Sequence, residues 1–490
     1  MGKLADVWDY ICEFESEYKL YSFRVYNYPI WNGCKEKAIE LMMGNEVDSK
    51  TNISVKVFLN VIVRIINSLS KLITIQPVDV LFVSNSRFRR GDNISKDSHI
   101  YFDNIIDRLD SNLKVKFLEY PTLSDFDLKY LKSRHSSIVI PIDIFIPIAV
   151  IGKLVKKREI RKAVNEIDCL LSKKSNFDQF LINNVSKWMK QLAEEMIIWT
   201  FALKWIYKRL YPKVIIDIAN AGRFSQSILN NVKRLEIQHG VIHKFQPAYS
   251  FTIDGKKYLS INNQDKHIVV FNDHYKKVIT EYGILKEDNI TVVKNMRLWN
   301  FEFEDSSKIY KKLNLPDNIK IILLSSQPLK TAQKKFSEFI EWFLKLQRQN
   351  NKFHCYYIIV KLHPRETNRD IYKRYEKNIL IINEEISLLN LLNVSKVHIG
   401  YSSTVIEEAS DFKLCNLVLN NPDVKEKYWH LIKQNKVIII NKLDEIEEIL
   451  DNRKFILERT SGVNNASIVN PYNLINNKIN NMLKAKISET

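Results

Sequence analysis

Six short apolar runs punctuate the second half of the chain, at residues 320–325, 356–362, 379–382, 396–399, 415–419 and 437–440, with helix-forming stretches between them. Runs such as KIILLS (320–325) and YYIIVKL (356–362) are apolar at successive positions, not alternate ones. A strand with one wet face alternates; a strand without alternation must be covered on both faces. Parallel strands joined by helical crossovers provide that cover. The first half follows the same rule, with strands expected at Val78–Ser84, Leu113–Glu119, Lys213–Ile218, Arg234–Gln238 and His267–Asn272. Helices are expected at Ser98–Leu109, Phe177–Tyr211 (stopped by Pro212), Phe224–Val232 and a stretch ending at Tyr282. The expected fold class is therefore α/β, with two doubly wound parallel sheets.

At 490 residues the chain has room for two or three domains. We place an N-terminal domain with helical additions at 1–285, a linker at 286–318, a second domain at 319–460 and a tail helix at 461–490. Residues 1–50, with Tyr28-Pro29-Ile30-Trp31, read as a small helical cap. Residues 53–75 space Ile53, Val57, Val61, Ile65, Leu69 and Leu72 as one face of an amphipathic helix.

Within the second domain, two strand-to-helix corners carry polar residues. VKLHPRE places Lys361, His363 and Pro364 at the end of one strand, and HIGYSSTVIEEA places Ser402, Ser403 and Thr404 between another strand and a helix beginning near Val405. In open parallel sheets, ligands sit outside the carboxyl ends of strands. A helix start with hydroxyls beside it offers donors to a phosphate, His363 can bond a second oxygen, and Glu407 and Glu408 suit the first helical turn. Taken singly, each corner reads rather as a capped helix or an ordinary loop. Their pairing in one α/β unit favours a nucleotide site.

Composition narrows the partners. A net charge of +18 favours anionic ones: phosphorylated substrates, an anionic membrane surface or nucleic acid. The basic residues are dispersed apart from Lys153–Lys162 and form no recognisable nucleic-acid module, so no nucleic-acid partner is expected. The five cysteines include no CxxC pair, which suits a reducing cytoplasm. No uncharged apolar run reaches the ~18 residues of a membrane span, and the N-terminus lacks the apolar core of a signal peptide. The basic run 153–162 beside the apolar stretch Ile138–Val150 suits peripheral contact with an anionic membrane, or a solvated helix face.

Further candidates lie in the first domain. Asn85–Asn93 is a polar loop after a buried strand, holding Arg87, Arg90 and Asp92. Gln238-His239-Gly240 ends another strand, with Gly240 expected to permit a sharp turn. His239 and His243 are four apart with no third ligand evident, so no metal site is expected. His267, His274 and His398 are read as structural. The P-loop, dinucleotide GxGxxG, HExxH and GxSxG patterns are all missing from the sequence.

Over roughly residues 213–420 these motifs resemble those of GT-B glycosyltransferases. Lys361-Leu362-His363-Pro364 is similar to the HP motif of bacterial sialyltransferases and capsular polysaccharide transferases. Ser402-Ser403-Thr404 with Glu407 resembles their serine-rich phosphate motif. Glu236-Ile237-Gln238-His239-Gly240 resembles the QHG segment of capsule and lipopolysaccharide transferases, including those that use CMP-Kdo, and the HG segment of CDP-glycerol glycerophosphotransferases. The resemblance implies two Rossmann-like domains facing a cleft, and nucleotide binding by Lys361, His363, Pro364, Ser402, Ser403, Thr404 and Glu407. The two-acids-then-Gly motif that supplies the base in many sialyltransferases is missing here, and Gln238-His239-Gly240 stands in its place.

The expected activity is metal-independent glycosyl transfer for capsule or lipopolysaccharide, at the inner face of the plasma membrane. The donor would be a nucleotide-sugar, CMP-linked (sialic acid type or Kdo), the acceptor a glycan or lipid-linked glycan, and no cofactor is required. His239 would act as base with Asp92 in reserve, and Arg87, Arg90, Gln238 and Gly240 would meet the acceptor. Polyol-phosphate transfer from CDP-glycerol or CDP-ribitol is the alternative, and a basic nucleic-acid-binding protein the second.

Overall fold

The computed structural model describes residues 4–44, 63, 66, 75–89, 99–120, 135–173, 175–218, 223–229, 232–260, 265–293, 298, 301–363, 366, 370–383, 385–412, 414–452 and 470–484. The chain divides into two compact units. One comprises Met1–Arg90, Asp97–Met296 and Val469–Thr490; the other is chiefly Arg297–Ile468. The helix expected over 53–75 lies outside the described residues, apart from Val63 and Ile66.

The first unit is built on a seven-stranded sheet. After the short hairpin strands β1 (Arg24–Val25) and β2 (Tyr28–Pro29) come β3 (Val80–Asn85), β4 (Val115–Tyr120), β5 (Val139–Pro141), β6 (Val214–Ile218), β7 (Lys233–Ile237), β8 (Lys266–Val270) and β9 (Ile290–Val292). They run in the order β5-β4-β3-β6-β7-β8-β9, every pair parallel. The chain thus winds outward from β3 one way and from β6 the other, which makes β3/β6 the switch point. Two strands of this sheet escape the sequence reading: β5 ends in Pro141 and β9 lies in a stretch of mixed character.

The N-terminal layer is helical with a small hairpin. Its buried Glu15 gathers the Trp31 indole N–H (2.7 Å), the Lys35 ammonium (2.9 Å) and the Thr252 hydroxyl (2.6 Å). The long helix Gln179–Leu210 begins where the Asp178 carboxylate accepts from the Phe180 N–H at 2.8 Å. It stops at Tyr211 in the left-handed region (φ 33°), just before Pro212. Helices Ile146–Val155 and Lys157–Leu171 both pack against it. The last described helix, Pro471–Lys484, returns to this unit: the Lys233 ammonium donates to the Met482 carbonyl at 2.7 Å and the Asn476 amide to the Arg108 carbonyl at 2.8 Å.

The second unit holds β10 (Lys320–Ser325), β11 (Tyr356–Lys361), β12 (Leu380–Ile382), β13 (Ser395–Gly400), β14 (Cys415–Leu419) and β15 (Ile438–Ile440), all parallel, in the order β12-β11-β10-β13-β14-β15. Ile322, Leu324, Ile358 and Val360 face a core with Phe336, Phe339 and Phe343 of helix Lys330–Gln349. Their neighbours Ile321, Leu323 and Ile359 face the opposite core, with Ile309, Leu391 and Leu392. Both faces of each strand are buried, so the apolar runs show no alternation. The stretch 286–318 contributes β9 to the first sheet and helix Ser306–Lys312 to the second unit's core.

Candidate functional site

In the second sheet the winding reverses between β10 and β13, so the crevice for a ligand opens beyond Ser325 and Gly400. The strand end of β10 runs on as Ser326 and Gln327. The Gln327 side chain spans to the next corner and holds both ends of one residue there. Its Oε1 accepts from the Ser402 N–H at 3.0 Å, and its amide N–H donates to the Ser402 carbonyl. From the other side, the segment after β14 holds the same corner. The Asn421 amide donates to the Tyr401 carbonyl (2.6 Å), the Lys427 ammonium to Ser402 Oγ (3.0 Å) and the Tyr428 phenol to the Ser403 carbonyl (3.0 Å). Helix Val424–Lys433 is kinked at Tyr428 (φ −118°, ψ 17°), the residue that makes the last of these bonds.

The corner itself is partly spent and partly open. The Ser402 backbone is taken up by Gln327. Ser403 Oγ accepts from the Val405 N–H at 3.2 Å. The N–H groups of Ser403 and Thr404 and the Thr404 hydroxyl meet no acceptor among the described residues. These are the groups an anion would use, with the Lys427 ammonium alongside, itself paired with the Asp423 carboxylate at 3.1 Å. The helix that follows, Val405–Ala409, has five residues, so the dipole the sequence reading invoked is small. Thr404, its N-cap, makes no capping bond.

Glu407 departs from its expected part. Its carboxyl lies 2.9 Å from His430 Nε2 and is largely buried. Burial, reinforced by Glu408, pushes it up to about 8, while burial and Lys436 bring His430 down to about 4. A carboxyl so displaced spends much of its time neutral at pH 7 and contributes little to the helix start. His398 is wholly buried in β13, 2.8 Å from both Ser325 Oγ and Asn416 Oδ1, and burial lowers it to about 4; it is a structural histidine.

His363 stands at the end of β11, on the far side of β10 from Ser402. Two strand spacings put these ends roughly 10 Å apart. The His363 N–H donates to Glu366 Oε2 at 3.4 Å, and the buried Glu366 also accepts from the Gln333 amide at 2.7 Å. Ser326 Oγ and the Tyr372 phenol share a hydrogen bond of 2.8 Å beside it. The Lys361 ammonium is taken up by two backbone carbonyls, Ile386 (2.6 Å) and Asn383, and so braces the loop after β12. Pro364 lies outside the described residues.

The polar corner of the first unit follows β7. Gln238 is wholly buried; its amide donates to the Gly240 carbonyl (2.6 Å) and accepts from the Phe271 N–H (2.8 Å), tying the end of β7 to that of β8. Gly240 does not perform the turn expected of it: it avoids the left-handed region, and a Cβ there would meet nothing within 4 Å. The turn is held by the Gln238 amide instead. His239 is partly exposed, its ring edge-on to Phe88 at 5.9 Å. Phe88 belongs to the turn after β3, so the Arg87 turn and the His239 corner adjoin. Arg90 and Asp92 lie outside the described residues. Beneath, burial works against the Glu236 carboxylate, but Lys266 at 2.7 Å outweighs it and keeps the group below its usual range.

Two all-parallel sheets wound in the same order can be set beside known structures. The chain is similar to a putative UDP-N-acetylglucosamine 2-epimerase from Listeria monocytogenes, at 13% identity over 84% of this chain and 98% of that one, with a TM-score of 0.51. It is also similar to S. aureus MnaA, solved with UDP, at 12% identity over 84% and 99% of the two chains, with a TM-score of 0.50. The fold is GT-B. No protein-family model matches the sequence, and no curated protein matches it significantly. At such identities the likeness is one of GT-B architecture, and the chemistry has to be argued from side chains.

Gln327 and Lys427 were not among the residues singled out from sequence. Gln327 had a signal, because it follows a buried strand as His363 does. Lys427 had none: it lies 25 residues beyond Ser402, on the helix after β14.

Proposed function

We propose that the protein is a glycosyltransferase that takes its sugar from a nucleotide-sugar donor, with the donor phosphates held at the Ser402–Thr404 corner. The observation that carries the reading is the open donor set there, Ser403 N–H, Thr404 N–H and hydroxyl, with Lys427 alongside, at the switch point of the sheet. Donors fixed in advance stabilise charge that develops on a leaving phosphate, and that chemistry needs no metal in this reading. His363 and Glu407 remain proposed donor contacts. In the first unit, His239 is the proposed base, a partly exposed imidazole at the strand end beside Phe88, with Asp92 in reserve. Arg87, Arg90 and the Gln238–Gly240 turn are the proposed acceptor side.

The finer reading is a CMP-linked donor of the sialic acid or Kdo type and a bacterial surface glycan or lipid-linked acceptor. It rests on the motif resemblance alone. The co-structure of MnaA with UDP makes UDP the first competitor to test. The deciding experiment is thermal stabilisation by CMP, CDP, UDP and GDP, followed by turnover of the matching sugar donors. A nucleotide at a hundred times its Kd should raise stability by about 2.7 kcal/mol. His239→Ala should leave that stabilisation intact and lower turnover by ~10²–10⁴-fold. If no nucleotide stabilises the protein, the reading fails. If UDP-sugars are converted without any acceptor, it gives way to epimerisation.

A further inference from the structure

Helix Ile146–Val155 in the first unit has an unusual surface. It packs on the long helix Gln179–Leu210 through small residues: Ala149 and Gly152 are buried, and a Cβ on Gly152 would come within 2.8 Å of the Phe201 ring. The opposite face is apolar and open, with Val150 61%, Ile151 54%, Leu154 73% and Val155 63% exposed. These four, at i, i+1, i+4 and i+5, form one contiguous stripe. Side chains of this kind on a ten-residue helix gain nothing from water. Trp205, half exposed and one turn beyond Phe201 on the long helix, carries the Arg209 guanidinium 5.8 Å over its ring.

The chain then breaks for one residue, Lys156, and continues as helix Lys157–Leu171, which buries Ala163, Ile167 and Leu171. Lys157, Arg158 and Arg161 in its first turns are exposed and form no ion pair among the described residues. Lys156 and Lys162 do pair, with Glu159 and Glu166. The arrangement is a short apolar stripe followed at once by unneutralised positive charge. No helix among the described residues is long and apolar enough to cross a membrane.

We propose that this helix pair is a membrane-docking element that lies in the plane of an anionic bilayer. Val150, Ile151, Leu154 and Val155 enter the headgroup–acyl boundary, and Lys157, Arg158 and Arg161 meet the lipid phosphates. An apolar face buried a few ångströms deep, with basic residues beside it, is the combination such helices use. The three cations beside the stripe, unpaired among the described residues, complement the phosphates of an anionic lipid surface, which is the occupant we assign. The inference does not depend on the transferase reading: it concerns a different part of the first unit and has a different readout.

The test is flotation of the full chain with vesicles of phosphatidylcholine alone or with phosphatidylglycerol added, at low and high salt. The wild-type protein should float with anionic vesicles at low salt and progressively less as salt rises. Lys157→Glu with Arg158→Glu and Arg161→Glu should weaken anionic-vesicle binding by roughly a hundredfold or more. Val150→Glu with Leu154→Glu should abolish flotation. Both variants alter exposed side chains, so their melting temperatures and nucleotide stabilisation should match the wild type. The proposal is overturned if the wild-type protein ignores anionic vesicles at low salt, or if the double glutamate variant floats unchanged. It is equally overturned if that variant instead turns a dimer into a monomer in sedimentation, which would make the stripe a contact between two copies.

Discussion

At the residue scale, the Ser402–Thr404 corner assigns different work to neighbouring side chains. Ser402 is a fixed point, held by Gln327 at its peptide groups and by Lys427 at its hydroxyl. Lys427 should therefore separate phosphate recognition from base recognition. Lys427→Met is expected to weaken nucleotide binding by about 1.5–3 kcal/mol, as for a lost hydrogen bond to a charged group, while affinity for the bare nucleoside is unchanged; Lys427→Arg should restore much of the loss. Calorimetric titration with nucleotide and nucleoside makes the comparison, and equal losses for both would remove Lys427 from the phosphate site. Glu407 gives a pH signature. Its folded pKa, about 8, is above the unfolded carboxylate value, so its contribution to stability is complete below about pH 4.5 and is lost as pH rises through 8. Wild-type stability should decline between pH 6.5 and 8.5, where the low-lying His430 and His398 are neutral when folded, and Glu407→Gln should flatten the decline. Melting curves across that window would show whether the slope disappears.

At the element scale, small residues decide where helices sit. Gly152 lets helix Ile146–Val155 approach Phe201, so Gly152→Val should force the two helices apart and cost about 1–3 kcal/mol. A denaturant midpoint that does not move would show that the contact yields. The same scale explains what could be read from the sequence. β10 (320–325) and β14 (415–419) are found at their expected bounds, and β13 within a residue at either end, because strands buried on both faces leave an uninterrupted apolar run. β5 and β9 fall among prolines or in a stretch of mixed character, whereas β12 and β15, equally short, lie in apolar runs. The two corners of the second unit were legible because polar residues directly after such runs mark strand ends. The clamp from Asn421, Lys427 and Tyr428 was not, because it depends on how β14 and its helix return to the sheet edge. The apolar stripe at 150–155 was visible as composition, but which of its faces is buried depends on the long helix beside it.

At the scale of the whole molecule, the first unit is not contiguous in sequence. Helix Pro471–Lys484 closes it, burying Tyr472, Ile475, Ile479 and Met482. Ending the chain at residue 469 should lower the first unit's stability by several kcal/mol, at ~1.5–3 kcal/mol for each large apolar side chain re-exposed, and leave the second unit's unfolding transition in place; urea unfolding followed by limited proteolysis distinguishes the two. The net charge of +18 acts on the molecule as a whole, raising the encounter rate with anionic partners and falling off with salt. The return of that helix also sets a timetable. A ribosome that has finished residue 296 must still make Arg297–Ile468 before the closing helix emerges, a delay of about 10–30 s at ordinary elongation rates. During that interval the second unit, whose sequence is nearly continuous, can fold first, while the apolar seat of the closing helix waits open. A nascent chain therefore leaves the apolar seat of Tyr472, Ile475, Ile479 and Met482 uncovered until residues 471–484 have been made.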